Sequence, residues 1–294
     1  MSELRNLEIL GVGSHTGGRF HTVLIAGAGK IKGDVECDEF SVPGAGKVED
    51  GTLTVHGPLS CYGAGKVEGS VRAEQMEICG AFTAEDSCEI SGDLDVAGSL
   101  KTEGSCVIAG HSDINGTLKV EDALTAADVA LRGSLHVEHN LRAKNLDVGG
   151  TLRTNGNVDA EIFHADGHVE IDGELNAESV ELLLRGENLI ESIVGGSVRV
   201  KKSDDNSYLR GGAHINISLD FTAFNRKFKV SNGKRPHLFS NLIEADEIDL
   251  EYTDCQTVRG VNVHIGPECV IDRVEYSGTL TTDANCSIGE KVKI

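Results

Sequence analysis

The sequence repeats one short phrase, a glycine followed by alternating apolar and polar residues, and that phrase restricts what the chain can fold into. Gly51-Thr-Leu53-Thr-Val55, Gly92-Asp-Leu94-Asp-Val96, Gly116-Thr-Leu118-Lys-Val120 and Gly133-Ser-Leu135-His-Val137 are copies of it. Gly150-Thr-Leu152-Arg-Thr154, Gly173-Glu-Leu175-Asn-Ala177 and Gly196-Ser-Val198-Arg-Val200 are further copies. Alternation over so few residues predicts very short strands, each with one buried face. Gly116, Gly133 and Gly150 stand 17 residues apart. Two blocks of six and one of five, such as "DVALR" (128–132) or "NLDVG" (145–149), add up to that spacing. A three-sided coil with one strand per side satisfies it, and such a coil is a parallel β-helix. Between Gly27 and Leu183 there is room for about nine coils, stacked at the usual strand spacing. One coil alone buries too little to fold; stacking makes a continuous core. The glycines are placed at the corners, where a sharp bend and positive φ are expected of them.

The tetrapeptide Gly-Ala-Gly-Lys occurs at 27–30, 44–47 and 63–66, at intervals of 17 and 19 residues. It resembles a fragment of a phosphate-binding loop. That loop needs a glycine five positions before its Gly-Lys and a Ser or Thr after it. At the second copy Ser41 and Val48 stand there instead. A nucleotide site is built once, so three copies indicate structural repetition. Lys30, Lys47 and Lys66 then share one frame position and are expected to stack as a ladder, with Glu49 and Glu68 two residues on. Glutamate also recurs at the last block position in Glu68, Glu74, Glu85, Glu103, Glu121, Glu138, Glu161 and Glu178. Such columns of like charge cost stability unless cations screen them.

Composition agrees with the repeat. The 294 residues include 36 glycines, no tryptophan and 4% aromatics, material for many small turns rather than one core of large side chains. A net charge of −20 disfavours nucleic acid and anionic membrane surfaces. The opening "MSELRNLEILGVGSH" carries no apolar signal region and no run is long enough for a membrane span, so a reducing cytoplasm is the expected setting. Any approach to the inner face of the membrane would be through partners.

The repeat breaks after Lys202. The reading is a β-helix body over 1–202, an irregular basic and aromatic insertion over 203–240, and further rungs with a cap over 241–294. Within the insertion, Arg226, Lys227, Phe228, Lys229, Lys234 and Arg235 form a candidate partner surface. Cys37 and Cys61 fall in the second apolar slot of their blocks, and Cys88 and Cys106 in the first, so these cysteines are read as core; Cys79 falls beside a corner. His136 and His139 form an HxxH, with His164 and His168 also close in sequence, but nothing at a matching spacing completes a zinc site. The sequence offers no Ser-His-Asp set, no paired acid and base, and no cofactor loop. Neither catalysis nor a cofactor nor a metal is expected.

The rung "KVEGSVRAE" (66–74), the ending "GELNAESVEL" (173–182) and the closing segment "VRGVNVHIGPECVIDRVEY" (258–276) together resemble the bactofilins, bacterial polymer-forming cytoskeletal proteins, and most closely their longer Gram-positive members. That resemblance implies a right-handed triangular β-helix that assembles end to end without nucleotide. It also implies a scaffold for cell-shape, envelope or motility machinery, with a second copy, another bactofilin-like chain or an envelope protein as partner. Open strand edges at the two ends would carry assembly. Leu7, Ile9 and Leu10 at the N-terminal end and Val263 and Ile265 in the C-terminal rungs are the candidate contact residues. Two other readings stand beside this one. A hexapeptide-repeat acyltransferase is also a triangular β-helix, but its rungs set glycine or an acidic residue directly after the large aliphatic. A non-polymerising binding module is the third reading.

Overall fold

The computed structural model describes residues 4–203 and 236–294. Among them every regular element is a β-strand and there is no helix. The strands pair in parallel and wind as a β-helix, the architecture the repeat predicts. Two compact units are present, Met1–Ile162 and Phe163–Ile294. The boundary between them lies inside the expected 1–202 body.

In the first unit, one side of the coil stacks residues 28–32 on Ala45–Glu49, Ala64–Val67, Ala81–Ala84, Ser99–Thr102, Thr117–Val120, Ser134–Val137 and Thr151–Thr154. Each alternates outward and inward side chains, and identical frame positions face one another. Leu118 lies between Leu100 and Leu135, and all three are 0% exposed. A second side stacks residues 35–37, 53–55, 71–73, 88–90, 106–108 and 124–126. The third stacks 23–25, 40–42, 59–61, 76–78, 94–96, 112–114 and 129–131. Their inward residues, such as Val35, Leu53, Phe40 and Leu59, close the core.

Some strands are longer than the repeat predicts. Cys106–Ile114 rounds a corner by slipping register between Ile108 and His111, and in the second unit His168–Leu184 extends over 17 residues with a slip between Ile171 and Glu174. A bulge lets the backbone bend without leaving the ladder, so side and strand need not coincide.

The corner glycines have a different cause from the one expected. Gly27, Gly44, Gly63, Gly80, Gly98, Gly116, Gly133 and Gly150 stack as one column. A Cβ on Gly133 would come within 1.9 Å of the Gly116 carbonyl oxygen, and one on Gly150 within 2.1 Å of the Gly133 oxygen. Close backbone approach from coil to coil therefore demands glycine here. Positive φ does not: among the described glycines it occurs at Gly18 and Gly33, outside this column.

The second unit stacks His168–Leu184, Glu187–Lys202, His237–Leu250, Thr253–Ile265, Val270–Thr282 and Ser287–Lys293, each in parallel on the one before. Leu175, Ile193, Ile243, Val258 and Val274 form one inward column, every member 0% exposed. In this unit the buried polar residues Asn188 and Ser240 are bonded to backbone. Asn188 accepts from the Val169 amide at 2.7 Å and donates to the Gly186 carbonyl, and Ser240 donates to the carbonyls of Glu191 and Leu242. The strand His237–Leu250 spans residue 241, where the C-terminal rungs are expected to begin, and Leu238, Phe239 and Ser240 are buried.

Candidate functional site: the laddered face and the terminal rungs

The lysine ladder exists and is longer than the tetrapeptides suggest. Because the strands stack without slipping on this side, Lys30, Lys47, Lys66, Thr83, Lys101, Lys119, His136 and Arg153 fall in one outward column. Two residues on, Glu49, Glu68, Glu85, Glu103, Glu121 and Glu138 run alongside. Each amine reaches its own carboxylate, the next one, or both. Lys47 lies 3.0 Å from Glu49 and 2.5 Å from Glu68, Lys101 2.9 Å from Glu103 and 3.1 Å from Glu121, and Lys119 3.2 Å from Glu121. His136 closes on Glu138 at 2.8 Å. The lysine amines hold the carboxyls of Glu49 and Glu121 below the usual carboxylate range, and Lys47 with the Asp50 amide does so for Glu68. The cost of stacking like charges is thus offset by an interleaved column of the opposite sign.

Beside the ladder, Ala28, Ala45 and Ala64 with the lysine stems line a shallow groove of about 620 Å³. Val12, 94% exposed, stands at one end of it. In these coils the inward partner of each alanine is Gly29, Gly46 or Gly65, where a Cβ would press on Ile25, Val42 or Phe82. The Gly-Ala-Gly-Lys repeats therefore serve packing: corner glycine, outward alanine, inward glycine, outward lysine.

The cysteines and histidines stand as follows. Cys37, Cys61, Cys88 and Cys106 are all buried in the core, and Cys79 is exposed. Burial pushes the Cys37 thiol up to about 12 and the Cys61 thiol to about 11. Cys106 sits in register on Cys88, whose hydrogen bond and the surrounding burial push its thiol well above the ordinary value. These are poor nucleophiles, since the thiolate is the reactive form. His136 lies on the ladder while His139 is at the next corner, 3.6 Å from Asp122. His168 bonds the Glu187 carbonyl through Nδ1. Among the described residues no three or more His, Cys, Asp or Glu side chains converge as metal ligands.

The expected assembly residues fare unevenly. Leu7 and Ile9 are inward residues of the first rung, each 8% exposed, whereas Leu10 is 67% exposed. Val263 and Ile265 are not at an edge. Their strand is covered by His237–Leu250 on one side and Val270–Thr282 on the other, with Ile248 and Leu280 directly against Val263, and both are buried. The outermost C-terminal strand among the described residues is Ser287–Lys293. Arg226, Lys227, Phe228, Lys229, Lys234 and Arg235 lie outside the described residues.

Sequence reading missed the residues that finish the stack at each end. At the first rung Phe20 heads a core column, with the Arg5 guanidinium 5.6 Å from its ring centroid and His15 edge-on at 5.6 Å. At the last rung Lys291 occupies the column of Val274, and Lys293 stacks on Tyr276 with its amine 5.8 Å from the ring centroid. The available signal was weak: "SIGEKVK" breaks the aliphatic alternation, and in the strand beneath it the inward residues Ile271 and Val274 stand three apart across a corner, so alternation alone does not tell which residues point inward.

The chain is similar to two curated proteins of Bacillus subtilis (strain 168). It is 47% identical over 60 residues to "Uncharacterized protein YhbE", covering 20% of this chain and 25% of that one. It is 35% identical over 101 residues to "Uncharacterized protein YhbF", covering 34% of this chain and 40% of that one. The chain thus spans less than half the length of either relative. No family model matches the sequence, and no solved structure matches it. Among the described residues no helix is long and apolar enough to cross a membrane.

Proposed function

We propose that the chain is a non-enzymatic structural scaffold of the bactofilin type that associates through its terminal rungs, without nucleotide, in support of shape, envelope or motility machinery. The observation that carries this reading is that coils stack in parallel within each unit, and that among the described residues Leu7–Ile9 of the first unit and Ser287–Lys293 of the second each pair with a strand on one side only. Unpaired N–H and C=O groups at such edges recruit further strands. Pairing of strands needs no energy source. It draws on backbone groups alone, and the laddered face beside the coils carries paired lysines and glutamates.

A non-polymerising binding module is the second reading, favoured by the cations at the end rungs. Light scattering and negative-stain microscopy across a salt series, with and without ATP or GTP, separate the two. The scaffold reading expects nucleotide-independent assemblies that grow as salt screens the net charge of −20. Strict monomer at every salt concentration would put the binding module in front.

A further inference from the structure

The last rung of the second unit differs from those beneath it. Leu175, Ile193, Ile243, Val258 and Val274 are buried aliphatics, and the next member of that column is Lys291, which is exposed. The neighbouring column runs Ala177, Gly195, Ala245, Gly260 and then Tyr276 and Lys293. Two core columns therefore end in ammonium groups. Of the other columns, that of Cys255 and Ile271 ends in Ile288, half-buried, and those of buried Val263 and Ile265 end in Leu280, half-buried, and Thr282, exposed. A charge pointing inward at a sheet edge is a device that blocks further strand addition, because the next strand would bury it unpaired.

The first rung of the other unit also presents a cation, Arg5, just before the strand that carries Glu8. Arg5 lies over Phe20, and His15 heads the column of Ile31 and Val48. Continuing the three-sided coil from 290–293 into a second copy lays its 7–9 over 280–282, and its Leu4–Arg5 segment, whose Arg5 carbonyl accepts from the His21 amide, then meets 291–293. Head-to-tail stacking therefore brings Lys291 and Lys293 against Arg5. Tail-to-tail stacking sets the lysines against themselves.

We propose that the C-terminal rung is a cation-guarded docking edge. It fits the end rung of a partner β-solenoid that carries carboxylates where Lys291 and Lys293 point, and it refuses the N-terminal rung of a second copy until salt screens the charge. This rests on the scaffold reading and names the kind of partner its edge selects.

Charge reversal in this chain supplies the acidic probe. Sedimentation velocity compares wild type, Lys291→Glu/Lys293→Glu, Arg5→Glu, and the triple variant, at about 0.02 M and about 0.5 M salt, where screening lengths differ severalfold. Circular dichroism establishes that each is folded. Wild type should remain unassembled at low salt and assemble at high salt. The double variant and Arg5→Glu should each assemble head to tail at low salt and come apart as salt rises, a reversed salt dependence. The triple variant, with repulsion restored, should behave as wild type. Wild type assembling at low salt as readily as either reversal, or a triple variant assembling as well as the double, would overturn the proposal while leaving end-to-end association standing. Folded monomers in all four proteins at both salt concentrations would overturn the proposal and the end-to-end reading together.

Discussion

Leu118 and Lys119 are sequence neighbours with opposite duties. Leu118 is 0% exposed between Leu100 and Leu135, while the Lys119 amine lies among Glu121 and Glu138 on the outer face. Leu118→Ala should cost about 2–5 kcal/mol, transfer free energy plus an unfilled cavity. Lys119→Met should cost well under that, since exposed ion pairs contribute little. Thermal or urea denaturation checks the pair, and similar losses would mean the inward frame is misassigned. The adjacent Gly149 and Gly150 make a sharper comparison. A Cβ at Gly149 meets nothing closer than 3.6 Å, whereas at Gly150 it meets the Gly133 oxygen at 2.1 Å. Gly150→Ala should therefore lower the melting temperature severely and Gly149→Ala only slightly. Thiol labelling tests the core as well. Cys79 should react in the native protein, while Cys88, Cys106 and Cys255, all buried, should react only after unfolding.

The lysine–glutamate ladder acts as one element built from many coils, and its pH dependence follows from its carboxylates. Glu49, Glu68, Glu121 and Glu138 are held below their ordinary pKa by lysine, backbone or histidine donors. A carboxylate with a lowered folded pKa contributes stability that is fully present above its unfolded value, about 4.3. That contribution is lost as pH falls through the folded value. The melting temperature should thus be flat near neutrality and fall below about pH 4.5. Lys47→Met removes the partner of both Glu49 and Glu68. It should lower the melting temperature at pH 7 and flatten the acid-induced fall; an unchanged acid profile would show that the pairs do not act on stability. This ladder was legible in the sequence because the same residue types recur at one frame position. So were the strands on that side and the buried cysteines. The order of rungs at the C-terminal end was not legible. Val263 and Ile265 look like edge residues only if the strands after them are not counted, and the inward column of Lys291 depends on the corner between Ile271 and Val274, where inward residues stand three apart rather than two. Alternation reports which residues share a face, but not which face follows a bulge.

At the scale of the whole molecule, every coil of the first unit rests only on the coils before and after it. Stability is then a sum over neighbours rather than a property of one centre. The glycine column adds a constraint of its own, because each corner leaves room for glycine alone against the carbonyl of the coil below. Length can therefore change only in whole coils. Deleting residues 116–132 joins Asn115 to Gly133, setting Gly133 above Gly98, Leu135 on Leu100 and His136 beside Lys101. Such a shortened chain should fold and melt cooperatively, whereas deleting 116–124 should not, since it sets outward residues inward and a side chain where only glycine fits. Circular dichroism and a melting curve distinguish the two. A lineage that copies or loses one coil by recombination would keep its fold at every step. The spine of glycines thus makes the span of the first unit a heritable quantity that moves in fixed increments.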